Sequence, residues 1–346
     1  MLVLSFLFLQ SYPNFFSQLI LGPELITVQT FTSQDIQLAK KLLLAGSLVA
    51  IPTETVYGLA ALGLDPVAVQ RIFQVKGRPS YDPVILHVDT MERIKLLVTD
   101  FPEPLLTLAH HFWPGPLTLL LPKSDLVPEV VTAGLPRVGV RIPNHPMTLE
   151  LLSALQVPLA APSANPFGYV SPTLPEHVWR HFAGRIAMIL DGGPCLQGIE
   201  STIVGLEAGR PVVYRLGSLS VELIESTIGP VKLVTHSSSQ PEAPGMLTRH
   251  YAPHKLVVVV GDLQEMNFYK EDKTCAMITF TADLGLGTRS VWLSPSFSLE
   301  EAAANFYRTL QSWDLDAGIH TLVIEKFPET AQGRALNDKL RRAAKL

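Results

Sequence analysis

The stretch Pro52-Thr53-Glu54-Thr55-Val56-Tyr57-Gly58-Leu59, followed by Lys76-Gly77-Arg78-Pro79 and Asp82-Pro83-Val84-Ile85-Leu86-His87, sets the pattern of the whole chain. Just before it, the continuous apolar run 48–51 reads as a buried strand that ends at Pro52. Asp65-Pro66 reads as a cap followed by proline at the first helical position. Ile72, Phe73 and Val75 carry the apolar pattern on to Lys76, and Gly77 ends the helix. Residues 84–88 form the next strand. Strand, helix and strand alternate, and the polar groups gather where the backbone turns, which is where loops on an α/β scaffold carry binding groups.

Working outward, Thr32-Ser33-Gln34-Asp35 reads as a helix start with Thr32 as the cap and Asp35 in the first turn. Ile36, Ala39, Leu42 and Leu43 follow at helical spacing, and Gly46 supplies the stop. Downstream, helices are expected at 91–98 and 104–112. Trp113-Pro114-Gly115-Pro116 must be irregular, since its prolines and glycine break helix and ladder alike. Strands are expected at 117–121, 138–142, 159–161, 186–190, 202–205 and 212–216. In 138–142 the alternation turns Arg141 away from its apolar neighbours. Several strands follow one another closely, so the expectation is a twisted mixed sheet with helices rather than a pure doubly wound fold.

Between 228 and 253 the composition shifts, with Ser237-Ser238-Ser239 and four prolines marking a linker. Beyond it, strands at 256–260, 276–280, 291–293 and 322–325 alternate with helices at 299–313 and 331–344. That reads as a small α/β domain able to stand as an independent unit. The expected division is an apolar extension over 1–26, a main domain over 27–228, a linker over 229–254 and a second domain over 255–346.

The totals agree with two globular domains: 346 residues, 47% hydrophobic and 17% charged. A net charge of -4 gives no global basic field for nucleic acid. Cys195 and Cys275 lie far apart, in no metal-type spacing, and read as reduced thiols. The apolar run Met1 to Leu21 lacks a basic flank, and it is too short and interrupted for a spanning helix. The expectation is a non-essential extension or an upstream start codon rather than a targeting segment, a cytoplasmic protein and no membrane partner.

Phosphate-loop, dinucleotide, zinc-protease and nucleophile-elbow patterns are absent from the sequence. Cations and hydroxyls at strand ends are present instead: Lys76 and Arg78 around a glycine, Arg141, Arg215, Ser163 with Asn165, and Glu200-Ser201-Thr202. Arginine suits forked recognition of phosphate or carboxylate, so a cavity that gathers these groups would take an anionic ligand such as a nucleotide. Each also has an ordinary reading. Lys76 complements a helix end, Arg78 is a loop cation, and Arg141 lies on a wet sheet face. Ser163 and Asn165 form a turn, Thr53 and Thr55 form another, and His87 is a core histidine. Residue chemistry alone stops at an α/β protein with an anion site.

Six motifs occur in order: Pro52-Thr53-Glu54-Thr55-Val56-Tyr57-Gly58-Leu59, Lys76-Gly77-Arg78-Pro79, Trp113-Pro114-Gly115-Pro116-Leu117-Thr118, Val140-Arg141-Ile142-Pro143, Ala161-Pro162-Ser163-Ala164-Asn165 and Gly198-Ile199-Glu200-Ser201-Thr202. Together they resemble the YrdC-like domain of threonylcarbamoyl-AMP synthases. Pro244-Gly245-Met246, His250-Tyr251-Ala252-Pro253 and Leu340-Arg341-Arg342-Ala343-Ala344 resemble the long, two-domain form of that family. The resemblance implies a YrdC-like twisted mixed sheet around a concave cavity, plus a small Rossmann-like α/β domain. It implies a nucleotidyltransferase that makes L-threonylcarbamoyladenylate from L-threonine, bicarbonate and ATP, releasing pyrophosphate. The product would serve threonylcarbamoyl modification of the tRNA adenosine next to the anticodon. Mg²⁺ with ATP, no organic cofactor, a downstream tRNA threonylcarbamoyltransferase machinery and a tRNA contact are implied with it.

The same resemblance implies that Thr55 and His87 contact threonine, with Arg141 and Ser201 on its carboxylate and neighbouring groups. Lys76, Arg78, Asp82, Thr118, Ser163, Asn165 and Arg215 would line the ATP side, Lys76 and Arg78 stabilising charge. Tyr251, on the linker, would be part of a lid over a labile adenylate, and no protein nucleophile is implied. Asp82 stands where the family usually has asparagine, and a carboxylate beside phosphates calls for a compensating Mg²⁺ or arginine. Leu216 replaces a common proline. Two other readings are a non-catalytic RNA-binding module, which needs exposed aromatics among basic residues, and the carbamoyltransferase of hydrogenase maturation, which needs repeated Cys-x-x-Cys motifs.

Overall fold

The helix Pro66–Lys76 shows how local sequence sets up the site. The Asp65 carboxylate accepts from the amides of Val67 and Ala68 at 2.9 and 3.2 Å, a cap worth about 1 kcal/mol. Gly77 closes the helix in the left-handed region at φ 65. Val69, Ile72, Phe73 and Lys76 share one buried stripe, spaced i, i+3, i+4 and i+7. That spacing drives the Lys76 ammonium inward with the apolar residues rather than out to solvent.

The computed structural model describes residues 29–234, 243–246 and 251–344. The extension over 1–26 and much of the expected linker, His250 included, lie outside the described residues.

The larger sheet has eleven strands among the described residues: β1 (Phe31–Ser33), β2 (Val49–Ile51), β3 (Gly58–Leu62), β4 (Ile85–His87), β5 (Leu117–Pro122), β6 (Arg137–Arg141), β7 (Leu159–Ala160), β8 (Met188–Leu190), β9 (Thr202–Glu207), β10 (Arg210–Arg215) and β11 (Lys232–Leu233). Their order is β1-β8-β2-β3-β7-β4-β6-β5-β9-β10-β11. Parallel pairs such as β4 with β6 and β5 with β9 alternate with antiparallel ones such as β6 with β5 and β9 with β10. The sheet is therefore mixed, as expected. The second sheet is wholly parallel, in the order β12 (Leu256–Val260), β15 (Thr321–Glu325), β13 (Cys275–Thr279), β14 (Ser290–Trp292). The helices Leu299–Asp314 and Ala331–Ala343 complete this Rossmann-like unit.

Two expectations need correction. Thr32 does not cap the first helix. Residues 31–33 pair with β8 as an edge strand, and Asp35 is the cap, accepting from the Leu38 amide at 2.9 Å. The three-residue separation from Thr32 to Asp35 allowed both readings, and pairing with β8 decides between them. Residues 232–233, placed in the linker, add a parallel edge strand to β10. The second domain packs closely on the first. A Cβ on Gly198, which has φ +72, would lie 2.4 Å from the Ala303 carbonyl oxygen, so the two domains meet backbone to backbone. The Tyr307 hydroxyl donates to Glu200 at 3.0 Å, and the Gln311 amide donates to the Ser171 carbonyl at 3.1 Å. No helix among the described residues is long and apolar enough to cross a membrane.

Candidate functional site

Register places the first pair of candidates. In the β4–β6 ladder His87 sits directly across from Arg141. Both are buried, so the wet face expected for Arg141 does not exist, and its head must be satisfied by protein. Its Nε donates to the Gly115 carbonyl at 3.1 Å, Nη1 to Thr55 Oγ1 at 3.0 Å and Nη2 to Glu54 Oε1 at 2.6 Å. The turn that presents Glu54 and Thr55 is tied by Thr53, whose hydroxyl accepts from the amides of Thr55 and Val56 and donates to the Val56 carbonyl. Burial and the Arg141 charge hold the His87 imidazole down at about 3, so His87 is neutral at physiological pH.

A second group of cations comes from other elements. Gly77 turns the chain so that Arg78 folds back over its own loop. Its Nε donates to the Asp82 carbonyl at 3.0 Å and Nη2 to the Pro83 carbonyl at 2.7 Å, with the Asp82 carboxylate 2.9 Å away. Asp82 has no exposed surface, and burial raises its pKa while Arg78, Lys76 and Arg215 oppose that rise. Arg215, at the end of β10, donates from Nε to the Ser201 carbonyl at 3.0 Å and from Nη2 to Ser201 Oγ at 2.9 Å. Ser201 Oγ also lies 2.8 Å from Thr118 Oγ1, on the neighbouring strand β5. Loop 161–165 is stitched to the first turn by the Leu59 amide on the Pro162 carbonyl and the Ala164 amide on the Tyr57 carbonyl.

These groups surround one cleft. Thr55, Arg78, His87, Arg141, Ser163, Ser201, Arg215 and Tyr251 all line it, so eight of the twelve candidates come together. The other four sit behind the wall. The Lys76 ammonium donates to the carbonyls of Ser163 and Asn165 at 2.5 Å each, and burial lowers its pKa well below the usual lysine range. It thus braces the Ser163 loop instead of projecting into the cleft. The Asn165 side-chain amide donates to the carbonyls of Pro166 and Tyr169. Thr118 backs Ser201, and Asp82 backs Arg78. A larger hollow, lined by residues such as Phe31, Pro175 and Trp179, has no lysine or arginine in its lining, so size alone does not mark the chemistry.

The sequence reading assigned no role to Glu54, Glu200, Pro244 or Gly245. Glu54 pairs with Arg141, and Glu200 lines the cleft while accepting from Ser171 Oγ at 2.6 Å. Both glutamates stand inside quoted motifs, yet nothing in the sequence separates a buried counter-ion from a solvated one. Pro244 and Gly245 line the cleft together with Tyr251.

The arrangement holds three guanidinium groups and a neutral imidazole in one partly enclosed space. It suits ligands with two separate anionic ends: a carboxylate near Arg141 and phosphates near Arg78 and Arg215.

A family model described as "Telomere recombination" matches residues 41–217, and one described as "Threonylcarbamoyl-AMP synthase, C-terminal domain" matches residues 219–345. A threonylcarbamoyl-AMP synthase of Pyrococcus abyssi is 40% identical over 327 residues, covering 89% of this chain and 94% of that protein. Its counterpart in Bacillus subtilis is 38% identical, covering 90% and 94%. The crystal structure of P. abyssi Sua5 complexed with L-threonine matches with a TM-score of 0.84 at 38% identity, covering 92% of this chain and 97% of that one.

Proposed function

The chain belongs to the threonylcarbamoyl-AMP synthase family in its two-domain form, and on that premise we propose a division of labour within its cleft. As an enzyme of this family it makes L-threonylcarbamoyladenylate from L-threonine, bicarbonate and ATP, releasing pyrophosphate. The observation that carries the division is the separation of cations: Arg141 lies opposite His87, while Arg78 and Arg215 come from two other elements of the same wall.

Threonine sits with its carboxylate on Arg141 and Ser201, and its hydroxyl near Thr55 and His87. A neutral imidazole suits this place, because it adds no charge beside the ammonium. The threonine amine condenses with bicarbonate, losing water, to give an N-carboxylate. That carboxylate attacks the α-phosphorus of ATP, the bond to the β-phosphate breaks, and pyrophosphate leaves with both electrons. Arg78 and Arg215 stabilise the charge that grows on the phosphates, and no protein nucleophile is required. Lys76, Thr118, Ser163 and Asn165 set the shape of the ATP side. Tyr251 closes the roof and keeps water from the adenylate.

No group of three or more His, Cys, Asp or Glu suited to a metal occurs among the described residues. Mg²⁺ enters as the ATP complex, held largely by phosphate oxygens and water. The product goes on to a tRNA threonylcarbamoyltransferase machinery in the cytoplasm. The test is pyrophosphate release from ATP, Mg²⁺ and bicarbonate with and without L-threonine. Release that ignores threonine sinks the reaction.

A further inference from the structure

We propose that Lys339 and Arg342, on the helix Ala331–Ala343 of the second domain, are positioning residues that hold Gly245 and Tyr251 in place as the roof over bound ATP. The proposal rests on the cleft being the adenylate-forming site and gives the second domain a part in it.

Lys339 has no exposed surface, yet it carries an ammonium. A buried charge persists only where several partners satisfy it. Its partners come from separate parts of the chain. Nζ donates to the Leu216 carbonyl at 2.7 Å, next to Arg215. It lies 3.8 Å from Glu200 Oε2, on the cleft wall, and 4.9 Å from the centre of the Tyr251 ring. The last contact is a cation–π interaction, strong when desolvated. One turn on, Arg342 donates from Nη1 to the Gly245 carbonyl at 2.6 Å and from Nε to Asp338 at 3.0 Å.

The roof these two residues grip is tightly packed and strained. A Cβ on Gly245 would lie 2.8 Å from the Tyr251 hydroxyl oxygen and 3.2 Å from Arg215 Cδ. Tyr251 itself has φ 64, a backbone state that strains a non-glycine residue and lasts only where surroundings over-determine it. Those surroundings are the Tyr307 ring, stacked at 5.8 Å, the Lys339 ammonium, and the Ala252 amide bonded to the Gly168 carbonyl at 2.9 Å. Two of the three belong to the second domain, as does the arginine on Gly245. The roof is thus gripped by the second domain as well as by the first, whose Arg215 donates to the Pro244 carbonyl at 3.4 Å.

Lys339→Met, Lys339→Arg and Arg342→Gln test this with steady-state kinetics and hydrogen exchange on the full chain. Lys339→Met should raise the KM for ATP about tenfold and leave the KM for threonine within about twofold. Lys339→Arg should return the ATP value to within about threefold of wild type, and Arg342→Gln should shift it the same way as Lys339→Met. Peptides carrying Gly245 and Tyr251–Ala252 should exchange faster in Lys339→Met, with β9 and β10 unchanged. A buried lysine that merely stabilises the fold predicts otherwise: kcat falls, the KM for ATP stays, and exchange rises throughout both domains. That result, or no change in either KM or exchange for both Lys339→Met and Arg342→Gln, overturns the proposal. A wild-type enzyme without threonine-dependent pyrophosphate release would instead overturn the reaction, while exchange on the same proteins still decides the roof.

Discussion

The Arg78 guanidinium and the Asp82 carboxylate meet at 2.9 Å, both buried, with Arg78 lining the cleft and Asp82 behind it. Asp82 thus has an arginine beside it, and on the proposed assignment Arg78 would meet incoming phosphates with part of its charge already countered. Asp82→Asn keeps the shape and removes that counter-charge. The fold should survive, because the carbonyls of Asp82 and Pro83 still hold Arg78. The ligand-free protein should melt lower, since a lone buried cation is costly, and ATP should recover most of the loss. The KM for ATP should fall roughly threefold to tenfold, equivalent to about 1 kcal/mol. A rise would show that Asp82 serves ATP in some other way.

Arg141 is held from three sides by Gly115, Thr55 and Glu54. Loss of a preorganised, charge-assisted contact to a carboxylate costs roughly 2–3 kcal/mol. Arg141→Ala should therefore raise the KM for threonine about 100-fold, with the KM for ATP within about threefold. Arg141→Lys should recover little, because an ammonium cannot fork to Thr55 and Glu54 together. Equal effects on both substrates would remove Arg141 from the amino-acid side.

His87 makes an acid-stability prediction. Burial first, and Arg141 second, lower its folded pKa to about 3, against an unperturbed 6.5. Between those values the unfolded chain binds a proton that the folded chain refuses, so stability is lost as pH falls from 6.5 toward 3. Well inside the window each such histidine contributes about 1.4 kcal/mol per pH unit. His177, also lowered to about 3 by burial, acts the same way. Denaturant midpoints measured from pH 7 to pH 4 should fall less steeply for His87→Gln than for wild type, though not become flat.

Lys339 gives the opposite end of the pH range. Burial lowers its pKa to about 8, Glu200 and Asp338 resist that, and Arg342 and Arg215 add to it. Tyr251, raised by burial, stays neutral there. From about pH 8 to 10.5 the unfolded chain keeps a proton that folded Lys339 has lost, so global stability rises with pH. The grip on the Tyr251 ring weakens over the same interval. The KM for ATP should rise severalfold between pH 7.5 and 9.5 in wild type and stay level in Lys339→Arg, whose charge persists. Parallel profiles would show that Lys339 is not the titrating group.

Gly217 and Gly209 should answer differently to alanine. A Cβ at Gly217 would lie 2.3 Å from the Glu200 carbonyl oxygen and 2.5 Å from the Thr202 amide nitrogen, both backbone that cannot step aside. At Gly209, with φ +77, nothing lies within 4 Å. Gly217→Ala should cost several kcal/mol in urea unfolding and distort the Ser201 wall. Gly209→Ala should cost about 1 kcal/mol, the penalty of a left-handed backbone alone. Similar losses at the two sites would refute the close approach at Gly217.

Much of this was legible in the sequence because the signals were local. Asp65, Pro66 and Gly77 bound the helix Pro66–Lys76 at the residues expected, since cap, proline and left-handed glycine act within one turn. Of the eight cleft-lining candidates, six lie in quoted motifs, and His87 and Arg215 stand on expected strands. The rest depended on distant parts of the chain. Lys76 shares the buried stripe of its helix, but which carbonyls it meets depends on a loop 87 residues away. Thr32 carried the composition of a cap and became a strand residue because β8 offered it a partner. Lys339 sits in a helix as polar as a solvated one, and only docking onto the first domain buries it.

The contact from Lys339 to the Leu216 carbonyl also has a consequence in time. The two residues are 123 positions apart. At a synthesis rate of about 5–20 residues per second, roughly 6–25 s pass between them on the ribosome. The first domain can gather its arginines in that interval, but the roof waits for the helix that grips it. On the proposed arrangement, the roof is therefore the last part of the cleft to be completed during synthesis.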